Sequence, residues 1–125
     1  MEKKHGLVVL LLLLLLVACG PTDNYGYPSK INFGKEGGTK HCSGRIIVSS
    51  ISINDYNGNG IAELTKDEND TIITKYYWLT VKFKRLVGHE IKIIAEPNTT
   101  GKKRTLYVYG SIYNDDATIK VTQDK

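Results

Sequence analysis

Histidine is scarce in this chain, cysteine scarcer still, and no stretch carries a sustained 3.6-residue hydrophobic period. Each absence removes a class of answer. With three histidines in all, His89-Glu90 has no second histidine at helical spacing, so the zinc-protease motif is missing. His41 stands beside Cys42, but neighbours along a strand point to opposite faces, which separates them as base and nucleophile. Charge of one sign is lacking too: 17 basic residues interleave with 13 acidic ones for a net +4, a balance that argues against nucleic acid as a partner. The longest apolar run, residues 7–18, is shorter than the roughly 20 residues that cross a bilayer as a helix. A length of 125 residues supports one small domain with a single core and leaves no room for a second. A domain of this size rarely frames the cleft that paired carboxylates need for glycoside hydrolysis, so the sequence points away from an enzyme.

What is present begins at the N-terminus. Lys3 and Lys4, the apolar run and then Ala18-Cys19-Gly20-Pro21 follow the order of a secretory signal, with a basic head, a short apolar core and a small-residue break. Leu16-Val17-Ala18-Cys19 resembles the lipobox of bacterial lipoproteins. That resemblance implies cleavage before Cys19, lipidation of its sulfur and acylation of its new amino group. Two or more acyl chains anchor stably, at about 0.8 kcal/mol per buried CH2. Residues 1–18 are then the signal peptide, 19–29 a lipidated tether rich in Gly, Pro, Asn and Tyr, and 30–125 the folded domain. The alternative is cleavage nearby that leaves Cys19 a free thiol. The expected address is the cell envelope, at the outer membrane, with the membrane itself as a partner through the lipid. Asp23 is the one acidic residue close behind Cys19, so the sequence leaves open whether the domain faces the periplasm or the exterior. With Cys19 committed to lipid, Cys42 has no partner within the chain, and stability must come from packing. Cys42 is expected in the core as a small hydrophobe, the alternative being an exposed thiol that pairs with another molecule.

Beyond residue 29 the chain alternates apolar and polar residues in short runs divided by Gly, Asn and Asp, the pattern of an all-β domain. Strands are expected over residues 31–33, 39–42, 45–53, 75–84, 90–96, 104–112 and 118–122. In the fourth, Tyr77, Leu79, Val81 and Phe83 share one face and Tyr76, Trp78, Thr80, Lys82 and Lys84 the other, and the first set reads as core. Ile91, Ile93 and Ala95 continue that core, as do Leu106, Val108 and Ile112, and Ile119 and Val121 close it. About seven short strands with turns between them predict a two-sheet sandwich.

The C-terminal half carries a more specific likeness. Trp78-Leu79-Thr80-Val81, the run from Ile91 to Ala95, Glu96-Pro97-Asn98-Thr99-Thr100-Gly101, Arg104-Thr105 and Ile119-Lys120-Val121-Thr122-Gln123 together resemble the BACON domain family. Ile31-Asn32-Phe33 and Glu36-Gly37-Gly38-Thr39 sit where that family places its first strand and glycine turn. The resemblance implies an immunoglobulin-like β-sandwich, a module common in Bacteroidetes and proposed to bind carbohydrate. It brings no catalytic residue, and the stretch from Asn54 to Thr74 is longer and more acidic than the family pattern.

Four constellations carry possible chemistry. Tyr107, Tyr109, Ser111 and Tyr113 alternate onto the side of their strand opposite Leu106, Val108 and Ile112, giving a row of rings on which the apolar face of a pyranose can lie. The alternative is that tyrosine simply favours strands and covers neighbouring side chains. Trp78 and Tyr76 form a second outward pair if the Tyr77 face is the core, the alternative being a tryptophan buried in the sandwich. Asp55, Asn57, Asn59, Gly60 and Glu63 follow the opening of a calcium loop, but Lys66 stands where the closing glutamate belongs, and a hairpin loop rich in Asn-Gly needs no metal. Lys102-Lys103-Arg104, the densest basic cluster, reads as a solvated loop tip, with an anionic-ligand patch as the alternative. The expected function is therefore non-catalytic binding of a polysaccharide or glycoprotein glycan by a lipid-anchored envelope protein. The competing class is a structural spacer or an interaction module that meets an envelope protein partner.

Overall fold

Apolar side chains at every second position decide this fold, because a strand that buries alternate residues needs a second sheet to cover them. A computed structural model of the protein describes residues 24–60, 63–66, 70–84 and 89–125, without the side chains of Glu63 and Leu64. Cys19 and the expected signal peptide before it lie outside the described residues. The described residues form β1 (Lys30–Phe33), β2 (Gly38–Ser43), β3 (Ile51–Asn54), β4 (Glu63–Lys66), β5 (Thr71–Tyr76), β6 (Leu79–Lys84), β7 (Glu90–Ala95), β8 (Arg104–Ile112) and β9 (Asp115–Gln123). One sheet has the order β1-β9-β8-β3 and the other β2-β7-β6-β5-β4. The β1–β9 pair is parallel and the other pairs are antiparallel. The protein is an all-β, two-sheet sandwich.

The inner faces are the ones the alternation predicts. Leu79, Val81, Phe83, Ile91, Ile93, Ala95, Leu106, Val108, Ile112, Ile119 and Val121 are all buried, joined by Ile31, Phe33, Ile51 and Ile53. Cys42 is buried with them, and burial pushes its thiol up from the ordinary range, so it is a packed hydrophobe. Thr74, fully buried on β5, directs its hydroxyl at the Ile51 carbonyl and so joins the two sheets along their β3–β5 side.

Four expectations change. Residues 75–84 are two strands: Tyr76 pairs directly with Leu79, so Tyr77 and Trp78 form a two-residue hairpin loop with Tyr77 at φ 51°. The turn inverts the side chains at this point, leaving Tyr77 72% exposed and Trp78 7% exposed. Residues 45–50 are not part of a strand with Ile51–Asn54 but carry the chain from the five-stranded sheet to the four-stranded one. That passage is fixed by Ser49 N–H donating to the Ser111 carbonyl and Ser111 N–H to that of Ser50, both at 2.9 Å. An additional strand, β4, occupies the long acidic stretch and edges the five-stranded sheet.

The fourth change concerns the expected tether, whose last residues belong to the sandwich. The Asn24 side chain donates to the Thr118 carbonyl at 2.8 Å and accepts its N–H at 2.9 Å, imitating one more rung of a sheet. Tyr27 is buried, and its hydroxyl donates to the Ile46 carbonyl at 2.6 Å. Its ring lies flat on Gly44, where a Cβ would come within 2.1 Å of it. Residues 24–29 thus strap down the passage between sheets, which a reading from composition alone misses because Gly, Pro and Asn also mark free linkers.

Candidate functional site

The register of the four-stranded sheet sets out its solvent face. Lys30, Lys120, Tyr107 and Asn54 stand in one row across β1, β9, β8 and β3. Thr118, Tyr109 and Ser52 form the next row on one side, and Asn32, Thr122 and Thr105 the next on the other. Tyr107 and Tyr109 are both half-buried and, two residues apart on one strand, sit about 7 Å from each other. Two aromatic rings are therefore presented on a sheet face surrounded by amide, hydroxyl and ammonium groups. Tyr113 is not part of this row: β8 ends at Ile112, and Tyr113 occupies the β8–β9 loop at φ 53° with 90% of its surface exposed. It borders a groove of about 530 Å3 lined also by Arg45, Ile46, Ser49, His89 and Ser111.

Trp78 and Tyr76 are likewise not an outward pair. The Trp78 ring is buried beneath the Arg104 guanidinium, whose carbon lies 4.6 Å from the ring centre. Tyr76 packs on Tyr77 with ring centres 4.4 Å apart, and burial, then Tyr77 and Asp55, raise its phenol above the ordinary range. Tyr56 and Tyr77, 85% and 72% exposed, mark this end of the sandwich, and neither was expected as an exposed aromatic. Tyr56 lies in the Asn-Gly loop that the sequence does mark as a turn, whereas the turn at Tyr76-Tyr77-Trp78 is concealed by the lack of Gly, Asn or Pro.

The residues that carry the family likeness meet at this same end and have structural work there. Arg104 Nε donates to Gln123 Oε1 at 2.8 Å, and its guanidinium also reaches the carbonyls of Glu96 and Pro97 at 3.3 and 3.2 Å. Burial draws the guanidinium downward and Glu96 opposes that shift. Gln123, fully buried, donates to the carbonyls of Gly34 and Glu96 at 3.1 and 2.8 Å. Asn98, also buried, donates to the carbonyls of Lys102 and Asp124 at 2.7 and 2.9 Å and accepts from Thr100 N–H and hydroxyl. Gly37, at φ 78°, lets the β1–β2 turn pass so close that a Cβ would stand 2.3 Å from the Ala95 carbonyl oxygen. These groups form a polar clasp that closes one end of the sandwich, and none of them is displayed to a ligand as a row.

The Asp55 loop closes on itself. Asp55 Oδ1 accepts the N–H groups of Asn57 and Asn59 at 2.9 Å each, and Oδ2 accepts Asn59 Nδ2 at 3.4 Å. This is an Asx turn, in which the carboxylate satisfies loop donors, so Asn57 serves the turn through its backbone and Asn59 through both backbone and side chain. The Glu63 side chain lies outside the described residues, and Lys66 pairs with Asp70 at 3.0 Å. His41 turns away from Cys42 and meets Glu90 at 2.9 Å on the surface, as strand alternation requires.

No protein-family model matches the chain, and no curated protein sequence matches it. Among solved structures, the NMR structure of a protein from Bacteroides thetaiotaomicron is similar over 77% of this chain and 75% of that one, at 21% identity and a TM-score of 0.55. A Bacteroides ovatus GH5 xyloglucanase in complex with a XXXG heptasaccharide is similar over 77% of this chain and 17% of its own length, at 18% identity and a TM-score of 0.48. The second likeness is too loose to carry an argument. The first shows that this sandwich is a fold shared with a Bacteroides protein.

Proposed function

We propose that the protein is a non-catalytic, BACON-like binding module, anchored through lipid on Cys19 to a bacterial envelope membrane, that holds a polysaccharide or glycoprotein glycan on its four-stranded sheet. The observation that carries this reading is the side-by-side placement of Tyr107 and Tyr109 on a solvent face, in register with Asn54, Ser52, Thr118 and Lys120. Flat rings receive the apolar face of a sugar, while hydroxyl, amide and ammonium groups at strand spacing meet its polar edge. The test is a glycan array with the full-length protein in detergent, beside a Tyr107→Ala/Tyr109→Ala variant. The expected result is a defined glycan bound by the native protein and at least about tenfold more weakly by the variant. Equal binding by the two proteins would move the site off this face, and binding of no glycan would remove the reading.

A protein partner is the second reading, favoured by the exposed Tyr56 and Tyr77 at the clasp end, since tyrosine is enriched in interfaces. Tyr56→Ser and Tyr77→Ser would then abolish co-purification of one envelope protein that Tyr107→Ala leaves bound.

A further inference from the structure

The tyrosine face has an unbalanced charge beside it. Lys30 and Lys120 are direct partners across β1 and β9, and Lys120 stands half-buried between Lys30 and Tyr107. Like charges placed directly opposite destabilise a sheet, and the half-covered Lys120 stem holds its ammonium beside that of Lys30, so an anion between them would relieve the repulsion. Among the described residues, no carboxylate forms an ion pair with either lysine. Of the carboxylates on this side, Asp116 is opposite Ser111 near the β8–β9 loop, and Asp124 is engaged at the Asn32 edge of the groove, accepting from Asn32 Nδ2 at 3.3 Å. Between the lysines runs a groove of about 360 Å3 lined by Lys30, Ile31, Asn32, Lys120 and Thr122. Its floor is held in place, with the Thr122 hydroxyl donating to Asn32 Oδ1 at 2.6 Å.

We propose that the ligand of this face is an acidic polysaccharide, with a uronate carboxylate lying in the groove between Lys30 and Lys120 and the adjoining sugar ring on Tyr107. The inference rests on the glycan reading above and narrows it to a substrate class. Strand neighbours are about 4.8 Å apart, so one carboxylate can accept from both ammonium groups at ordinary charge-assisted distances. Tyr107 is one further strand across, within reach of the ring that bears the carboxylate or of the next. Lysine suits this task as a point charge on a flexible stem, tolerant of the varied carboxylate orientations along a polymer.

Polygalacturonate, alginate and hyaluronan, each beside its carboxyl-reduced form, are the probes, titrated into the full-length protein in detergent at low and physiological salt. Lys82 and Lys92, opposite each other on the outer face of the other sheet, supply a control for unspecific attraction. The expected result is that at least one polyuronate binds about tenfold or more tightly than its reduced form. Lys30→Gln/Lys120→Gln should erase that preference, Lys82→Gln/Lys92→Gln should keep it, and added salt should weaken it. Equal binding of acidic and reduced polymers, or equal loss in both lysine pairs, overturns the inference. If a neutral glycan binds with dependence on Tyr107 and Tyr109 and none on the lysines, the substrate class is wrong and the glycan reading stands. If no glycan binds at all, both fall.

Discussion

Gln123 shows at the scale of one residue how this sandwich is closed. Its side chain is fully buried and bonded at both ends, to two carbonyls through Nε2 and to Arg104 through Oε1. Removing it leaves the Arg104 Nε–H without its partner and takes one donor each from the Gly34 and Glu96 carbonyls, which keep only the Gly37 N–H and Arg104 Nη2, in a site that water reaches poorly. A buried group left unsatisfied costs about 1–3 kcal/mol, and more where a charge is involved. Gln123→Ala is therefore expected to cost about 2–4 kcal/mol, read as a lower urea midpoint at unchanged slope. A loss below about 1 kcal/mol would show that the clasp is not a cooperative network. The sequence makes Pro97, Asn98, Gly101 and Gln123 stand out with Arg104 through the family likeness, but it reads Arg104 as part of a solvated loop tip, and the structure corrects this by laying that guanidinium on Trp78 and bonding it to Gln123. The mutual contacts of the set are not legible in the sequence, because Gln123 and Gly34 are 89 positions apart and come together through the parallel β1–β9 pair.

Turns limit what can be read at the scale of elements. Alternation places the buried faces of β6, β7, β8 and β9 correctly, since any strand of a sandwich must obey it. It cannot see that the chain reverses at Tyr77-Trp78, because the usual signal is a Gly or Asn at positive φ and here the position holds tyrosine. The same device recurs at Tyr113, which is 90% exposed at φ 53° in the β8–β9 hairpin. A left-handed backbone costs a residue with a Cβ roughly 1–2 kcal/mol, while glycine costs roughly 0.5–1 kcal/mol in lost chain entropy. Relief of strain wins narrowly, so Tyr113→Gly should raise stability by about 0.5 kcal/mol, and Tyr109→Gly, within the strand, should lower it. Both are measured by thermal or denaturant unfolding, and destabilisation by Tyr113→Gly would mean that the ring makes a compensating contact. The tyrosine row illustrates the same limit: two of its three rings stay together on the sheet, and the third leaves with the turn. Lys30, Lys120, Asn54 and Ser52, which complete the face, come from three other strands and were visible only once the register was known.

At the scale of the whole molecule, the N-terminal strap ties the sandwich together and sets which end points toward the start of the chain. Tyr25 donates its hydroxyl to Asp115 Oδ2, and that bond, with the Asp116 N–H second, holds the Asp115 carboxyl below the ordinary range. A carboxyl depressed in the folded state adds stability above its unfolded value, and that contribution is lost as pH falls through the folded one. The stability difference between native protein and Asp115→Asn should therefore be constant at neutral pH and shrink below about pH 4. A difference unchanged on acidification would show that the contact carries no linkage.

The same strap favours one orientation. Asn24 is bound beside Thr118, close to the β8–β9 loop, and residues 19–23 reach at most about 18 Å when fully extended. Along β9, nine residues at about 3.4 Å each place the clasp end roughly 30 Å from the loop end. On the proposed anchoring at Cys19, Asn24 lies about 10 Å from the loop end and about 17 Å from the clasp end, so the shorter path favours the loop end carrying Tyr113 near the membrane, with Gly101 and Tyr56 pointing away. The tyrosine and lysine face, running between these ends, stays upright and open to a polymer passing parallel to the membrane. A fluorophore placed at Asn114 of the lipid-anchored protein on vesicles should be quenched by headgroup-bound quencher, and one at Gly101 should not. Stronger quenching at Gly101 would place the membrane at the clasp end and overturn this orientation.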